Sequence, residues 1–175
     1  AKALKAATVL VVVPSLALIR QTPTVWLRET LARRENVSWL AVCSDETAGE
    51  AEVDSFTAHT SELGAPCVTE PAEIARWLKQ RRPGWRVVFS TYQSGKALAE
   101  GAQRARLAFD LAIYDEAHKT VGAKTKTFAH LLSDKNVAVK RRVFMTATER
   151  RYRGESDEIL SMDDPQVYGD AFEVL

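Results

Sequence analysis

Short apolar runs rich in β-branched residues alternate along this chain with segments of helical periodicity. The first run, residues 8–13, holds four valines and stops at Pro14 and Ser15. Strands buried on both faces have such continuous apolar runs, and they occur in parallel sheets covered by helices. The alternation therefore predicts an α/β fold, with a parallel sheet and helices on both of its faces. Five strands are expected, at residues 8–13, 37–43, 86–90, 109–114 and 142–146.

The segments between these runs carry apolar residues at helical spacing. They predict helices at residues 16–34, 71–81, 95–101 and 125–132, with Pro71 a favourable residue for a helix start. Residues 44–70 are weakly patterned and are expected to be mostly irregular. We expect residues 1–153 to form a partial domain and residues 154–175 to be an exit segment leading away from it.

Composition limits the class of protein. At 175 residues, 46% of them hydrophobic, the chain can bury the core of one globular domain. Cys43 and Cys67 lack metal-ligand spacing and the three histidines are scattered, so a zinc site is not expected and the cysteines are expected to be reduced. No run approaches the ~20 apolar residues of a membrane span. These features are typical of a cytoplasmic protein with no membrane partner.

The charge is unevenly distributed although the formal net charge is only +1. Residues 119–153 hold ten Lys and Arg against Asp134 and Glu149, and residues 154–175 hold seven acidic side chains and no base. A basic block can neutralise the phosphates of a nucleic acid, which supplies most sequence-independent affinity. A solvated surface is the simpler interpretation of a charge run alone.

The run at residues 109–114 ends in two adjacent carboxylates, Asp115 and Glu116, followed by Ala117 and His118. Working groups of open parallel sheets lie at the carboxyl ends of the strands. Asp115 is placed to hold a hydrated Mg²⁺, and Glu116 to polarise a water for attack on a phosphoryl group.

Small polar residues also follow three of the other predicted strands. Because the carboxyl ends of parallel strands meet at one edge, these residues are expected to lie together. Hydroxyls and backbone amides there suit the binding of phosphates, although each group alone could be a helix cap or a turn. The four groups are Pro14-Ser15, Ser90-Thr91-Tyr92-Gln93, Asp115-Glu116-Ala117-His118 and Thr146-Ala147-Thr148.

The order of these motifs resembles the first RecA-like motor domain of superfamily 2 helicases and translocases of the DEAH-box kind. Residues 11–21 are similar to motif Ia, residues 88–94 to the next nucleic-acid-contacting motif, residues 115–118 to motif II and residues 146–148 to motif III. Lys119 and Thr120 after the box, with Arg150 and Tyr152 after motif III, are most similar to the restriction-enzyme-type helicases.

The resemblance implies a role for each matching residue. Asp115 would bind Mg²⁺ through water and Glu116 would be the catalytic base for ATP hydrolysis. His118, Thr146 and Thr148 would couple the nucleotide state to movement along the nucleic acid, which the restriction-type resemblance favours as DNA. The residues implied in contact with the sugar–phosphate backbone are Pro14, Ser15, Arg20, Ser90, Thr91 and Gln93.

The sequence departs from the family pattern in three ways. It contains no phosphate-binding loop G-x-x-x-x-G-K-[ST] and no second RecA-like domain, and Glu149 occupies a position that is often proline. The chain is therefore expected to be a truncated part of a longer protein and to be inactive alone. The strand that feeds the missing loop is expected to lie next to the strands ending at Asp115 and Thr146.

Two alternatives remain. A scaffold derived from a helicase could keep the sheet and the nucleic-acid contacts without hydrolysing ATP, although such a module has no physical need for both carboxylates. A metal-dependent nuclease could use Asp115, Glu116 and His118, but adjacent residues at a strand end point to opposite faces, which disfavours one shared metal site.

Overall fold

A computed structural model of the chain describes residues 5–15, 18–19, 26, 29–30, 32–43, 67–123, 127–148, 150–151 and 159–169. Six of the strands form one sheet: β1 (Thr8–Val13), β2 (Val37–Val42), β3 (Cys67–Val68), β4 (Trp85–Thr91), β5 (Leu111–Tyr114) and β7 (Arg142–Phe144). Their order across the sheet is β3-β2-β4-β1-β5-β7, and every pairing is parallel. The predicted α/β fold with a parallel sheet is confirmed.

Two helices cover one face of the sheet. They are α1 (Pro71–Lys79) and α2 (Gly95–Ala105), and their apolar sides pack with alternate residues of the strands, such as Leu10 and Val12. The two helices approach closely at Gly101, where a Cβ atom would lie 2.5 Å from Cγ2 of Ile74. Only glycine fits this contact without displacing Ile74.

The opposite face of the sheet packs against residues from the segment predicted as the first helix. Residues 18, 19, 26, 29, 30 and 32 of this segment are helical, and Ile19 is buried among Val9, Val11 and Val13. Trp26 packs edge-on against Trp39 of β2 and Phe89 of β4. Apolar side chains thus cover both faces of the sheet, as the continuous apolar runs predict.

The edge of the sheet at the amino ends of β1 and β5 is held by Asp110. Its Oδ2 atom accepts hydrogen bonds from the backbone N–H groups of Ala7 and Thr8, both at 3.0 Å, and from the Thr8 hydroxyl at 2.9 Å. Its Oδ1 atom lies 2.6 Å from Nζ of Lys140. Burial by itself would raise the pKa of Asp110, but the hydrogen bonds from Lys140 and Thr8 outweigh it and hold the pKa below its usual range.

Two sequence-based expectations for local structure are corrected, and the acidic segment has elements of its own. The two-residue β3 lies within residues 44–70, which were expected to be irregular. The segment expected to be a helix at residues 125–132 is a 3₁₀-helix at Thr127–Leu132. The acidic segment contains β8 (Ile159–Leu160), which pairs antiparallel with β6 (Gly122–Ala123), and a single helical turn, α3 (Pro165–Tyr168).

The expected position of an additional strand beside the strand ending at Asp115 is wrong. β5 pairs with β1 on one side and with β7 on the other, so both of its edges are occupied. β7 is the last strand of the sheet among the described residues. Within the described part of the chain, no helix is long and apolar enough to cross a membrane.

Candidate functional site

The polar groups that follow β4, β1, β5 and β7 lie at one edge of the sheet. These strands are consecutive neighbours and all parallel, so their carboxyl ends coincide. Backbone hydrogen bonds extend the strand pairing into the loops: Asp115 N–H donates to the Val12 carbonyl at 2.9 Å, and Tyr92 N–H donates to the Val13 carbonyl at 3.2 Å. The predicted clustering of these loops at one edge is confirmed.

Asp115 is held by two hydrogen bonds. Its Oδ1 atom accepts the backbone N–H of Glu116 at 2.9 Å, and its carbonyl accepts the Tyr92 hydroxyl at 2.8 Å. Burial is the main cause that raises the pKa of Tyr92, and the nearby Tyr114 and Asp115 raise it further. The Tyr92 hydroxyl therefore stays protonated and remains a donor. The Asp115 side chain is half-buried and fixed in direction at the strand end.

Glu116 has a left-handed backbone, with φ 50° and ψ 45°. That conformation costs a non-glycine residue roughly 1–2 kcal/mol and persists where the surrounding contacts enforce it. Here the next residue supplies such a contact, because Ala117 N–H donates to the Met145 carbonyl at 2.9 Å. The chain then turns into a 3₁₀-helix at Ala117–Thr120.

His118 lies between the carboxylate of Glu116 and the hydroxyl of Thr146. Its Nδ1 atom is 3.1 Å from Oε2 of Glu116 and 2.8 Å from Oγ1 of Thr146. The Thr146 hydroxyl gives its own proton to the Thr148 carbonyl at 2.9 Å, and the same oxygen accepts the Thr148 N–H at 3.2 Å. Because a hydroxyl has one proton, this arrangement makes Nδ1 of His118 the donor to Thr146.

The residues predicted to contact nucleic acid differ in exposure. Ser90 and Thr91 are fully buried, and their hydroxyls bond to the Thr91 carbonyl at 2.9 Å and to Oγ of Ser94 at 3.1 Å. Direct contact of these two side chains with a phosphate is incompatible with this conformation, since their hydroxyls shape the turn instead. Pro14, Ser15 and Gln93 are partly exposed at the same edge, and Arg20 lies outside the described residues.

The residues present fit a magnesium ion held through water. Among the described residues no group of three His, Cys, Asp or Glu side chains could enclose a metal. Mg²⁺ bound beside phosphates keeps several waters and uses one or two carboxylates. Asp115 is the residue at this edge that could hold it.

Sequence reasoning did not find two tyrosines that organise this edge. Tyr92 stacks on Phe128 and donates to Asp115, and Tyr168 of α3 bonds to Thr120, which follows the box. In the sequence Tyr92 is one member of the polar group that follows β4, with no role of its own indicated. Tyr168 lies in a segment without periodicity. No local sequence signal marks either hydroxyl as a contact of the box.

The fold and the edge geometry define a RecA-like domain of the restriction-enzyme helicase type. The family model described as the type III restriction enzyme res subunit matches residues 1–151. The chain belongs to that family, and the resemblance drawn from the motif order is confirmed. No curated protein matches the chain.

The solved structures that are similar to it include two type ISP restriction-modification enzymes. A nuclease-deletion mutant of the type ISP restriction-modification enzyme LlaGI, in complex with a DNA substrate mimic, shares 30% identity over 93% of this chain, with a TM-score of 0.69. The ATP-dependent type ISP restriction-modification enzyme LlaBIII, bound to DNA, shares 30% identity over 94% of this chain, with a TM-score of 0.71. This chain spans 12% of the length of each of those two chains.

Proposed function

We propose that this chain is part of a DNA translocase or helicase motor that couples ATP hydrolysis to movement along DNA. The observation that carries the proposal is the position of His118, whose Nδ1 atom is hydrogen-bonded to Thr146 in the loop after β7 and lies 3.1 Å from the Glu116 carboxylate in the loop after β5. The two similar enzymes support the choice of ligands, since one is ATP-dependent and both were solved with DNA or a DNA mimic. Within this proposal the residues 115–118 form a DEAH box of superfamily 2.

Asp115 and Glu116 have separate roles in the proposed reaction. Asp115 would hold Mg²⁺ through water, and the bound ion would neutralise charge on the phosphates of ATP. Glu116 would orient the attacking water and accept its proton. Nδ1 of His118 lies 3.1 Å from Oε2 of Glu116, so the imidazole is placed to restrict the direction of that carboxylate.

Thr146 and Thr148 would report the state of Glu116 to the rest of the domain. A change in the proton or position of Glu116 alters the hydrogen bond that His118 can give to Thr146. The Thr146 hydroxyl also holds the backbone of Thr148 in a tight turn, so its reorientation would move the loop after β7. His118 and Thr146 through their side chains, and Thr148 through its backbone, are therefore proposed as the coupling residues.

The DNA backbone is proposed to lie along the loops after β1 and β4. Pro14, Ser15 and Gln93 are partly exposed there, and Arg20 is kept in the proposal from the motif alone. Ser90 and Thr91 would act by shaping the turn that presents Gln93. Exposed bases such as Lys119 and Arg150 follow the box and motif III and would add attraction to phosphate that does not depend on base sequence.

Two parts of the motor are proposed to come from elsewhere in a longer protein. One is a phosphate-binding loop, because the 175 residues contain no G-x-x-x-x-G-K-[ST] sequence. The other is a second RecA-like domain, to which the residues beyond 153 would lead. The isolated chain is therefore expected not to hydrolyse ATP, and activity must be measured in the protein that contains it.

Replacement of Glu116 by glutamine tests the proposal. The change removes the base with little change in volume, so ATP turnover should fall by at least about 100-fold, with DNA affinity close to that of the unaltered protein. Glu73→Gln is the matched control, because it removes the same charge from an exposed position on α1. Unchanged turnover in Glu116→Gln would refute the mechanism. DNA binding with no ATPase activity in the unaltered protein would favour the non-hydrolysing scaffold.

A further inference from the structure

The acidic segment returns to the candidate site at two places. Its strand β8 pairs with β6, which follows the 3₁₀-helix that begins within the box. Further along, Met162 N–H donates to the Arg150 carbonyl at 3.2 Å, and Arg150 N–H points at the Met162 sulfur at 3.4 Å. Met162 is buried at 2% exposure. The segment is therefore attached both to the chain after motif II and to the chain after motif III.

These attachments accompany contacts of Tyr168 with Phe144 of β7 and with Thr120 after the box. Asp164 caps the turn α3 by accepting the Gln166 N–H at 2.9 Å, and Tyr168 closes that turn. The ring of Tyr168 packs on Phe144 with 4.8 Å between ring centroids, and Phe144 stacks on Tyr114 at 5.2 Å. Phe144 is the last residue of β7, directly before the chain that leads to Thr146.

The Tyr168 hydroxyl also begins a chain of hydrogen bonds that ends inside the box. Its oxygen is 2.6 Å from Oγ1 of Thr120, a side chain with no exposed surface. Thr120 gives its single proton to the Ala117 carbonyl at 2.7 Å, so Tyr168 must be the donor to Thr120. Burial raises the pKa of Tyr168, which keeps the phenol protonated for this role.

Ala117 is the residue between Glu116 and His118, and its N–H bonds to the Met145 carbonyl at 2.9 Å. Tyr168 thus contacts both halves of the proposed coupling network, one through Thr120 and the other through Phe144. The strained backbone of Glu116 needs such contacts, because a left-handed residue returns to a common conformation when its neighbours no longer hold it.

We propose that Tyr168 is a positioning residue for hydrolysis: its hydroxyl fixes the turn that carries Glu116 and His118, and its ring fixes the strand that carries Thr146. The inference rests on the proposed function for its consequence in ATP turnover. The segment beyond residue 153 is then a working part of the motor domain, because it sets the geometry of the catalytic base from outside the recognised motifs.

The test compares variants of the protein that contains this chain, with ATP, Mg²⁺ and duplex DNA. Tyr168→Phe keeps the ring on Phe144 and removes only the hydroxyl, so kcat should fall about threefold to tenfold, the range of one hydrogen bond, with KM for ATP unchanged. Thr120→Val should give a similar loss, and the double variant little more, because both changes break one chain of bonds. Gln166→Ala is the matched control, since that exposed side chain lies in the same turn.

A purely structural role gives a different result. In that case Tyr168→Phe would match the unaltered protein in kcat, and only Tyr168→Ala would lose activity, together with thermal stability. That pattern would overturn the proposal.

Hydrogen exchange separates this inference from the proposed function. The amides of Ala117, Lys119 and Val121 each bond within or beside the box turn. They should exchange faster in Tyr168→Phe whether or not the protein hydrolyses ATP. If the unaltered protein lacks DNA-stimulated ATPase activity, the proposed function fails while this readout still tests the contact. Unchanged exchange at all three amides would overturn the positioning role.

Discussion

The Nδ1 atom of His118 lies 2.8 Å from Oγ1 of Thr146, so a side chain after β5 and a side chain after β7 share one proton. The two residues are 28 positions apart in the chain, and the parallel pairing of β5 with β7 brings them together. The same nitrogen lies 3.1 Å from the Glu116 carboxylate. The loop after β7, which would report the state of Glu116, is thereby connected through His118 to the group that would activate water.

Loss of this contact should uncouple ATP hydrolysis from DNA. In the protein that contains this chain, His118→Ala should lower the stimulation of ATPase activity by DNA about tenfold, the effect of one charge-assisted hydrogen bond. Thr146→Val should have a similar effect, and the double variant should add little. His118→Asn retains an N–H donor and should recover part of the stimulation. Full DNA stimulation in His118→Ala would contradict the coupling role.

Asp110 should make the stability of the domain depend on pH in the acid range. Its pKa is lowered in the folded state, so its contribution is fully present above the unfolded pKa of about 4 and is lost as the pH falls through the lower folded value. Asp110→Asn should reduce the free energy of unfolding at pH 7 by about 2 kcal/mol. Urea titrations at several pH values would measure this.

The difference in free energy of unfolding between Asp110→Asn and the unaltered chain should decrease as the pH falls below about 4. Asp163→Asn serves as the control, because Asp163 is exposed and its removal changes the charge equally. A constant difference between Asp110→Asn and the unaltered chain down to pH 2 would show that the carboxylate charge is not what holds the edge.

Hydrogen exchange in β7 should follow the alternation of its amides. Met145 N–H donates to the Tyr114 carbonyl at 2.8 Å, so the amide of the adjacent residue Phe144 points away from β5. In the isolated chain we expect the Met145 amide to be protected and the Phe144 amide to exchange rapidly. The amides of β1, which pairs on both sides, should exchange slowest. Protection of Phe144 equal to that in β1 would mean that another strand covers β7.

The two cysteines should form a disulfide readily. The Sγ atoms of Cys43 and Cys67 lie 3.0 Å apart. A small-molecule disulfide such as oxidised glutathione would accept the two electrons and release two reduced thiols, leaving a mass lower by two hydrogen atoms. The bond would close a loop between residues 24 positions apart, which should stabilise the fold by about 3 kcal/mol. Mass spectrometry and thermal unfolding would follow it, with Cys43→Ser as the control.

The sequence predicts the sheet and its working edge well because both depend on local patterns. A continuous apolar run such as residues 8–13 is typical of a strand that is buried on both faces, as in a parallel sheet covered by helices. Once the strands are parallel, the ends at Ser15, Thr91, Asp115 and Thr146 must share an edge. The family resemblance follows from the order of those ends, and the family match agrees with it.

The sequence does not reveal the direction in which side chains point or the contacts between residues that are far apart in the chain. Ser90 and Thr91 stand at a strand end as hydroxyl residues, but only the structure shows that both point inward to the turn. The strand β3 has two residues, too few for any periodicity, and exists because β2 offers it a free edge. Tyr168 meets Thr120 across 48 positions of chain, in a segment whose composition indicates only acidity.

The consecutive order β4-β1-β5-β7 fixes the distances between the loops at the carboxyl edge of the sheet. Neighbouring strands lie about 4.8 Å apart, so the acidic pair after β5 is one strand spacing from Pro14 on one side and one from Thr146 on the other. A hydrogen-bonded sheet cannot shorten those spacings when a ligand binds. Within the proposed function, movement along DNA would therefore come from changes in the loops or between domains, while the distances between the strand ends stay constant.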